Sequence, residues 1–297
     1  MPHMDGVRGE LRRDEDMSLH TSWRAGGRAQ WYFIPDGRDD LCRFLARLPA
    51  DTAVLFTGLG SNLLVRDGGL TGVVVATHRA LSTLRVESPG LVFAEAGVAC
   101  AKVARFTNRH GLAGAEFLAG IPGCIGGALA MNAGAFGGET WCVVESVELV
   151  RRDGRTRRAT PAEFDVGYRR VALGHDEWFI GARIRLSPGD VETSRGEIAR
   201  LLKRRGATQP VQTANAGSVF TNPPGDHAAR LIEACGLKGL RVGNAEVSQK
   251  HANFIINLGG ACAADIECLI ERVRQRVRSK TGVDLHPEVR IVGNRDD

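Results

Sequence analysis

No C-x-x-C pair occurs anywhere in the 297 residues, and the seven cysteines are an odd number scattered from Cys42 to Cys268. Neither a zinc ribbon nor a disulfide framework fits that pattern. Free thiols in a reducing cytoplasmic compartment are expected, and no metal site. No apolar h-region follows the first residues, so no signal peptide is expected. One long uncharged stretch, Phe117 to Gly138, holds seven glycines, a proline and an asparagine, which is too little apolar side chain for a membrane helix. Lysine is scarce. Arginine supplies 34 of the 39 basic residues, in scattered pairs such as Arg12-Arg13, Arg157-Arg158 and Arg204-Arg205. The basic stripe of a nucleic-acid-binding chain is missing, so neither nucleic acid nor membrane is an expected partner. Internal repeats and low-complexity blocks are absent as well.

What is present is an ordinary globular composition, 43% hydrophobic and 25% charged, long enough for two or three small domains. The net charge of +5 suits anionic small substrates, as it suits a plain bias towards arginine. Residues 1–17 are polar and aperiodic and are expected to form a disordered tail.

Patterning divides the rest into three α/β units. Strands are expected at Trp31–Ile34, Ala53–Phe56 and Val73–Val75, with an amphipathic helix over Asp36–Leu48. The second unit has strands at Leu91–Ala94, Val143–Val150 and Trp178–Leu186, a helix stopped by Gly111, and a hairpin turn at Asp153-Gly154. Ser187-Pro188-Gly189-Asp190 is the linker candidate. In the third unit Ser194 and Glu197 form a capping box, Asp226 can cap a second helix, and Ile266, Leu269, Ile270, Val273 and Val277 make a helical stripe.

Two loops carry the chemistry of a cofactor. Thr57-Gly58-Leu59-Gly60-Ser61-Asn62-Leu63-Leu64 follows a strand, and its glycines let backbone N–H groups approach a pyrophosphate. Leu63 occupies the third glycine position of a dinucleotide fingerprint, so this is no Rossmann loop. A phosphate loop and a plain strand–loop–strand turn both fit it. The second is Gly120-Ile121-Pro122-Gly123-Cys124-Ile125-Gly126-Gly127, followed by Asn132-Ala133-Gly134. A tightly packed core turn would explain it alone. The two loops together favour a large nucleotide lying along backbone.

Four further segments stand out. Gly217-Ser218-Val219-Phe220 reads as a turn, and it lacks the second glycine of a hydrolase elbow. Tyr168-Arg169-Arg170 offers planar guanidinium forks, though a surface basic pair fits equally. Lys250-His251 precedes a buried strand. Glu288 lies in Pro287-Glu288-Val289-Arg290, where a lone glutamate ordinarily pairs with a cation.

In this order the segments resemble the UDP-N-acetylenolpyruvoylglucosamine reductase family, from about Ser18 to Gly293. The resemblance implies an α+β fold: a two-subdomain FAD-binding region of the vanillyl-alcohol-oxidase/PCMH type, residues 18–80 and 81–187, plus a C-terminal α/β substrate-binding domain, 188–297. It implies the activity of a UDP-N-acetylmuramate dehydrogenase, reducing UDP-N-acetylenolpyruvoylglucosamine with FAD and NADPH in peptidoglycan precursor synthesis. The cofactor residues implied are Gly58, Leu59, Gly60, Ser61, Asn62, Leu63, Gly120, Ile121, Pro122, Gly123, Gly126, Gly127, Asn132 and Ala133. Attachment is expected to be non-covalent, because Thr57–Leu64 contains no His or Cys. Arg169, Ser218 and Glu288 are implied to be catalytic, and Tyr168, Asn222 and Lys250 to bind substrate.

Two departures stand beside this. Thr221 occupies a position where the family often has a basic residue, and Arg170-Val171 replaces a common polar pair. The chain is also too short for the longer subtype's substrate-covering insertion, so the shorter subtype with a more open pocket is expected. A different flavin oxidoreductase of the same superfamily, or a non-catalytic nucleotide-binding protein, are the alternatives. A monomer is compatible with the sequence, which leaves the oligomeric state open.

Overall fold

The computed structural model describes residues 4–296. Its contacts gather into two compact units, each assembled from three separated segments.

The first unit comprises Tyr32–Gly58 and Gly72–Arg204, with residues 4–12. Its centre is a five-stranded antiparallel sheet in the order Thr156–Ala159, Val144–Arg151, Glu177–Arg185, Leu91–Glu95, Leu84–Ser88. Asp153-Gly154 turns the first hairpin, with Gly154 at φ +79°. Val147, Leu149, Ala182, Ile184, Val92 and Ala94 meet the buried side of helix Cys100–Arg109 in one core cluster.

Glu148 and Arg183 are buried charges on neighbouring strands of this sheet. Arg183 donates to Glu148 (2.8 Å) and to Glu87 (2.7 Å), and Arg38 from helix Arg38–Arg47 adds a second guanidinium to Glu148. Burial pushes the Glu148 carboxyl up. The two guanidiniums outweigh that and hold it below the usual range. A depressed carboxylate stabilises the fold above its unfolded pKa, about 4.5, and the gain is lost as pH falls through the lower folded value. The melting-temperature gap between the native chain and Glu148→Gln should therefore shrink from about pH 6 to about pH 3. A gap that does not change with pH would contradict this.

The strand Val54–Thr57 runs parallel to Leu70–Ala76, in register from Val54↔Val73 to Thr57↔Ala76. Its carboxyl end delivers Gly58, and ligands of parallel sheets gather at such ends.

The second unit comprises Arg13–Trp31, Leu59–Thr71 and residues 205–296. It holds an antiparallel sheet of Arg241–Val242, Ala245–Val247 and Ile255–Asn257, and a parallel pair of Leu63–Val65 with Arg290–Val292. The expected stripe from Ile266 to Val277 is buried along helix Ala263–Thr281. That helix is capped from a distance: the Asp67 carboxylate accepts the N–H groups of Ala263 (2.9 Å) and Ala264 (2.8 Å).

Four expectations need correction. Residues 1–3 lie outside the described residues, but the rest of the presumed tail is ordered. Glu10–Asp16 is the edge strand of a four-stranded sheet. Asp40, only 1% exposed, accepts the N–H groups of Arg8 and Gly9. The segment reads as polar because an edge strand keeps one side in water. Ser187–Pro188 is no linker, since it pairs with Leu112–Ala113. Helix Val191–Thr208 starts before Ser194, because Asp190 accepts the Thr193 N–H (2.7 Å) and acts as the cap; Ser194 bonds Glu116 instead. Asp226 does not take the first N–H of helix Ala228–Ala234 either. That N–H goes to the Asn222 side chain (3.1 Å), while Asp226 binds Arg230.

Candidate active site

In the first unit the two glycine loops touch. A Cβ on Gly58 would lie 3.0 Å from Cys124 Cβ and 3.1 Å from its Sγ. Thr57 is fixed behind it, its carbonyl accepting the Thr77 hydroxyl (3.0 Å). The glycines of the second loop divide by role. Gly126 packs against Ala96, where a Cβ would come within 2.9 Å, and Gly120 packs against the Phe136 ring. Gly127 faces open space, with nothing within 4 Å of a Cβ built there. The first amides of the short helix Ile125–Ala130 are already used: Ile125 N–H donates to Val98 (2.9 Å) and Gly126 N–H to Ala96 (2.8 Å). Gly127 is thus the exposed glycine of this loop, with room beside it for a ligand. Ile121 and Ala133 are buried in the core behind it.

Asn132 organises the next piece. Its backbone sits at φ +44°, and its side chain donates to Gly167 (3.2 Å) and Glu139 (2.9 Å) and accepts the Trp141 N–H (3.2 Å). Gly167 pairs with Arg170 in a hairpin whose two-residue turn is Tyr168-Arg169. Arg169 adopts φ +55°, a left-handed conformation costly for a side-chain-bearing residue. Its guanidinium donates to the carbonyls of Asn132 (3.3 Å) and Gly134 (3.0 Å) and lies 5.4 Å from the Tyr168 ring. Asn132 and Arg169, far apart in sequence, thus hold each other. A cavity of about 530 Å³ opens between Asn132, Trp141, Phe164 and Tyr168, and Tyr168 is 51% exposed at its rim. Arg170, by contrast, pairs with Asp165 on the surface.

In the second unit, Gly60 is glycine because a Cβ would overlap the His20 carbonyl, and its φ is +59°. Asn62 donates to the Glu288 carbonyl (3.1 Å) and its own carbonyl accepts the Arg290 N–H (3.0 Å). Ser218 lies next to the same segment: Glu288 N–H donates to the Val219 carbonyl (2.7 Å), and Phe220 pairs with Pro287. Asn62, Ser218 and Glu288 are therefore gathered at one place. Ser218 and Glu288 are both half-buried.

Asn222 and Lys250 are engaged elsewhere. Asn222 is exposed and caps helix Ala228–Ala234, and Lys250 reaches the Gly206 carbonyl. The Thr221 hydroxyl donates to the His286 carbonyl (3.3 Å). Burial, with Lys238 adding to it, lowers the His251 pKa, and His251 Nδ1 accepts the Asn253 N–H (3.3 Å).

Sequence reasoning missed two side chains here. Asn253 is 4% exposed and bonds both the N–H and the carbonyl of Phe220. Trp23 is fully buried, its indole N–H donating to the Ile255 carbonyl (2.8 Å), while Asn257 returns a bond to the Trp23 carbonyl (2.9 Å). The available signal was two asparagines inside the apolar run Ala252 to Asn257.

Residues 29–160 match the FAD binding domain family, and residues 209–292 match the C-terminal domain of UDP-N-acetylenolpyruvoylglucosamine reductase. Over 96% of its length the chain is 59% identical to the UDP-N-acetylenolpyruvoylglucosamine reductase of Alkalilimnicola ehrlichii, covering 95% of that protein. The chain belongs to the UDP-N-acetylenolpyruvoylglucosamine reductase family. The protein of that name from Methylococcus capsulatus is 56% identical, with 96% of this chain and 94% of the other aligned. The crystal structure of the Thermus caldophilus reductase superposes with a TM-score of 0.82 at 33% identity, over 96% of this chain and 98% of that one. As a member of this reductase family the chain is an oxidoreductase with an FAD-binding domain and an α+β fold. Among the described residues no helix is long and apolar enough to cross a membrane.

Proposed function

We propose that this reductase converts UDP-N-acetylenolpyruvoylglucosamine to UDP-N-acetylmuramate at the expense of NADPH, in the cytoplasm. FAD, when bound, would supply the hydride chemistry, a relay from NADPH to the terminal carbon of the enolpyruvyl alkene. The other alkene carbon then carries negative charge delocalised into the carboxylate, and it needs one proton. Ser218 supplies that proton and regains one from solvent. A serine is a poor acid in water, but it suffices beside a strongly basic carbon. Arg169 holds the carboxylate through its planar fork, and Glu288 in its protonated form donates to the same group. In sum the alkene gains a hydride and a proton, and NADPH leaves as NADP.

Gly58–Leu63, Gly120–Gly123, Gly126 and Gly127, with Asn132 and Ala133, would hold FAD within residues 18–187. The substrate is held by residues 188–297 and Tyr168, with Asn222 and Lys250 facing its phosphates; both would have to leave their present partners. The observation that carries this reading is the hydrogen bond from Glu288 N–H to the Val219 carbonyl, which sets the two proposed proton-bearing groups on adjacent backbone.

The test is anaerobic and spectroscopic. The yellow protein should bleach with NADPH and recover its colour on addition of the enolpyruvyl substrate. A protein that stays bleached would point to another acceptor. A protein without flavin, even after reconstitution, would overturn the cofactor assignment.

A further inference from the structure

Ser218 sits in a segment that is not part of a regular sheet, so its backbone needs partners on both sides. On one side they come from the 286–288 segment: His286 accepts the Thr221 N–H (3.0 Å) and Glu288 donates to Val219 (2.7 Å). On the other side no strand among the described residues runs alongside. Asn253 replaces it. Its carbonyl accepts the Val219 N–H (2.9 Å), its side-chain oxygen accepts the Phe220 N–H (3.0 Å), and its Nδ2 donates to the Phe220 carbonyl (2.8 Å). The amide thus makes the pair of bonds that an opposing strand residue would make. Phe220 is 2% exposed in the same core cluster as Trp23 and Ile255. In that setting neither Phe220 backbone group has water to fall back on.

We propose that Asn253 is a positioning residue for proton delivery: its side chain clamps the Phe220 peptide and so fixes both Ser218, two residues before it, and Glu288, bonded to the residue between. The inference rests on the reading of Ser218 as proton donor. The clamp is selective, because substitution of the side chain leaves the main-chain bond from Val219 to Asn253 in place. Asparagine is also the shape the site requires. An aspartate carboxylate can accept from the Phe220 N–H but cannot donate to its carbonyl. A protonated aspartic acid can do both.

The experiment follows the two half-reactions separately in the flavin-loaded protein. Asn253→Ala should bleach with NADPH within about 2-fold of the native rate, yet recover colour with the enolpyruvyl substrate about 100-fold more slowly, the usual consequence of a displacement near 1 Å at a reacting group. Asn253→Asp should be as slow at about pH 8 and regain about 10-fold or more towards pH 5.5, since a buried carboxyl protonates early. Lys250, His251, His286 and Glu288 are ionisable groups on the flanking segments, and Lys238 and Glu233 act on His251, so the profile is read as a ratio to the native protein. The Phe220 amide in Asn253→Ala should exchange with deuterium about 10-fold faster, with helix Ala263–Thr281 unchanged.

Native recovery rates in both variants, a flat ratio against pH, or equal slowing of both half-reactions would each overturn the proposal. Ser218→Ala is run alongside. If it recovers colour at the native rate, the donor reading itself fails. If it is slow while the Asn253 variants are not, only the present inference fails.

Discussion

Ser218→Ala is expected to bleach with NADPH at the native rate and then lose product formation by about 10²- to 10⁴-fold, the range of a single general acid. The separation of the two effects is the informative part. In the proposed reaction hydride arrives from NADPH without any need for a protein proton donor, so the first half-reaction has no use for the hydroxyl. The second, as proposed, leaves a carbon that must be protonated, and the Ser218 hydroxyl is the donor assigned to it. The substitution is small. Gly217 lies in open space at φ +75° and is untouched, and Val219 and Phe220 keep their backbone bonds to Asn253 and Glu288. Stopped-flow absorbance gives both rates from one preparation. Equal loss in both half-reactions would sink the proton-donor role and point to a damaged fold.

What could be read from the chain, and what could not, follows from the range of each interaction. The glycine loops are legible because close backbone approach is written as missing side chains. Gly58 against Cys124 and Gly126 against Ala96 are two such approaches. The stripe Ile266 to Val277 is legible because a helix repeats its buried side within a few residues. Local patterns can still mislead when two compete: Ser194 and Glu197 match a capping box, but Asp190 lies at the right distance from Thr193 and takes the role. Contacts over long separations leave no local trace. Asp67 caps a helix 196 residues further on, and Asn253 serves a peptide 33 residues before it. A buried asparagine in an apolar run carries no mark of which peptide it will meet. The edge strand Glu10–Asp16 was hidden for a different reason, its residues being chosen for the side that faces water.

Arg169→Lys separates binding from catalysis at the carboxylate. Lysine keeps the charge and bears the same left-handed backbone cost, so the hairpin from Val166 to Val171 should keep its shape. It lacks the fork. Arginine spans two carbonyls, Asn132 and Gly134, and this fixes the plane of the guanidinium; an ammonium on a flexible stem cannot reproduce that plane. If Arg169 stabilises charge that develops only after hydride addition, its fixed orientation matters most at that moment. The expected result is a fall in kcat of about 10²- to 10³-fold, the cost of removing one preorganised donor, with KM for the UDP-linked substrate changing far less. A rise in KM with kcat intact would mean that Arg169 only binds the carboxylate.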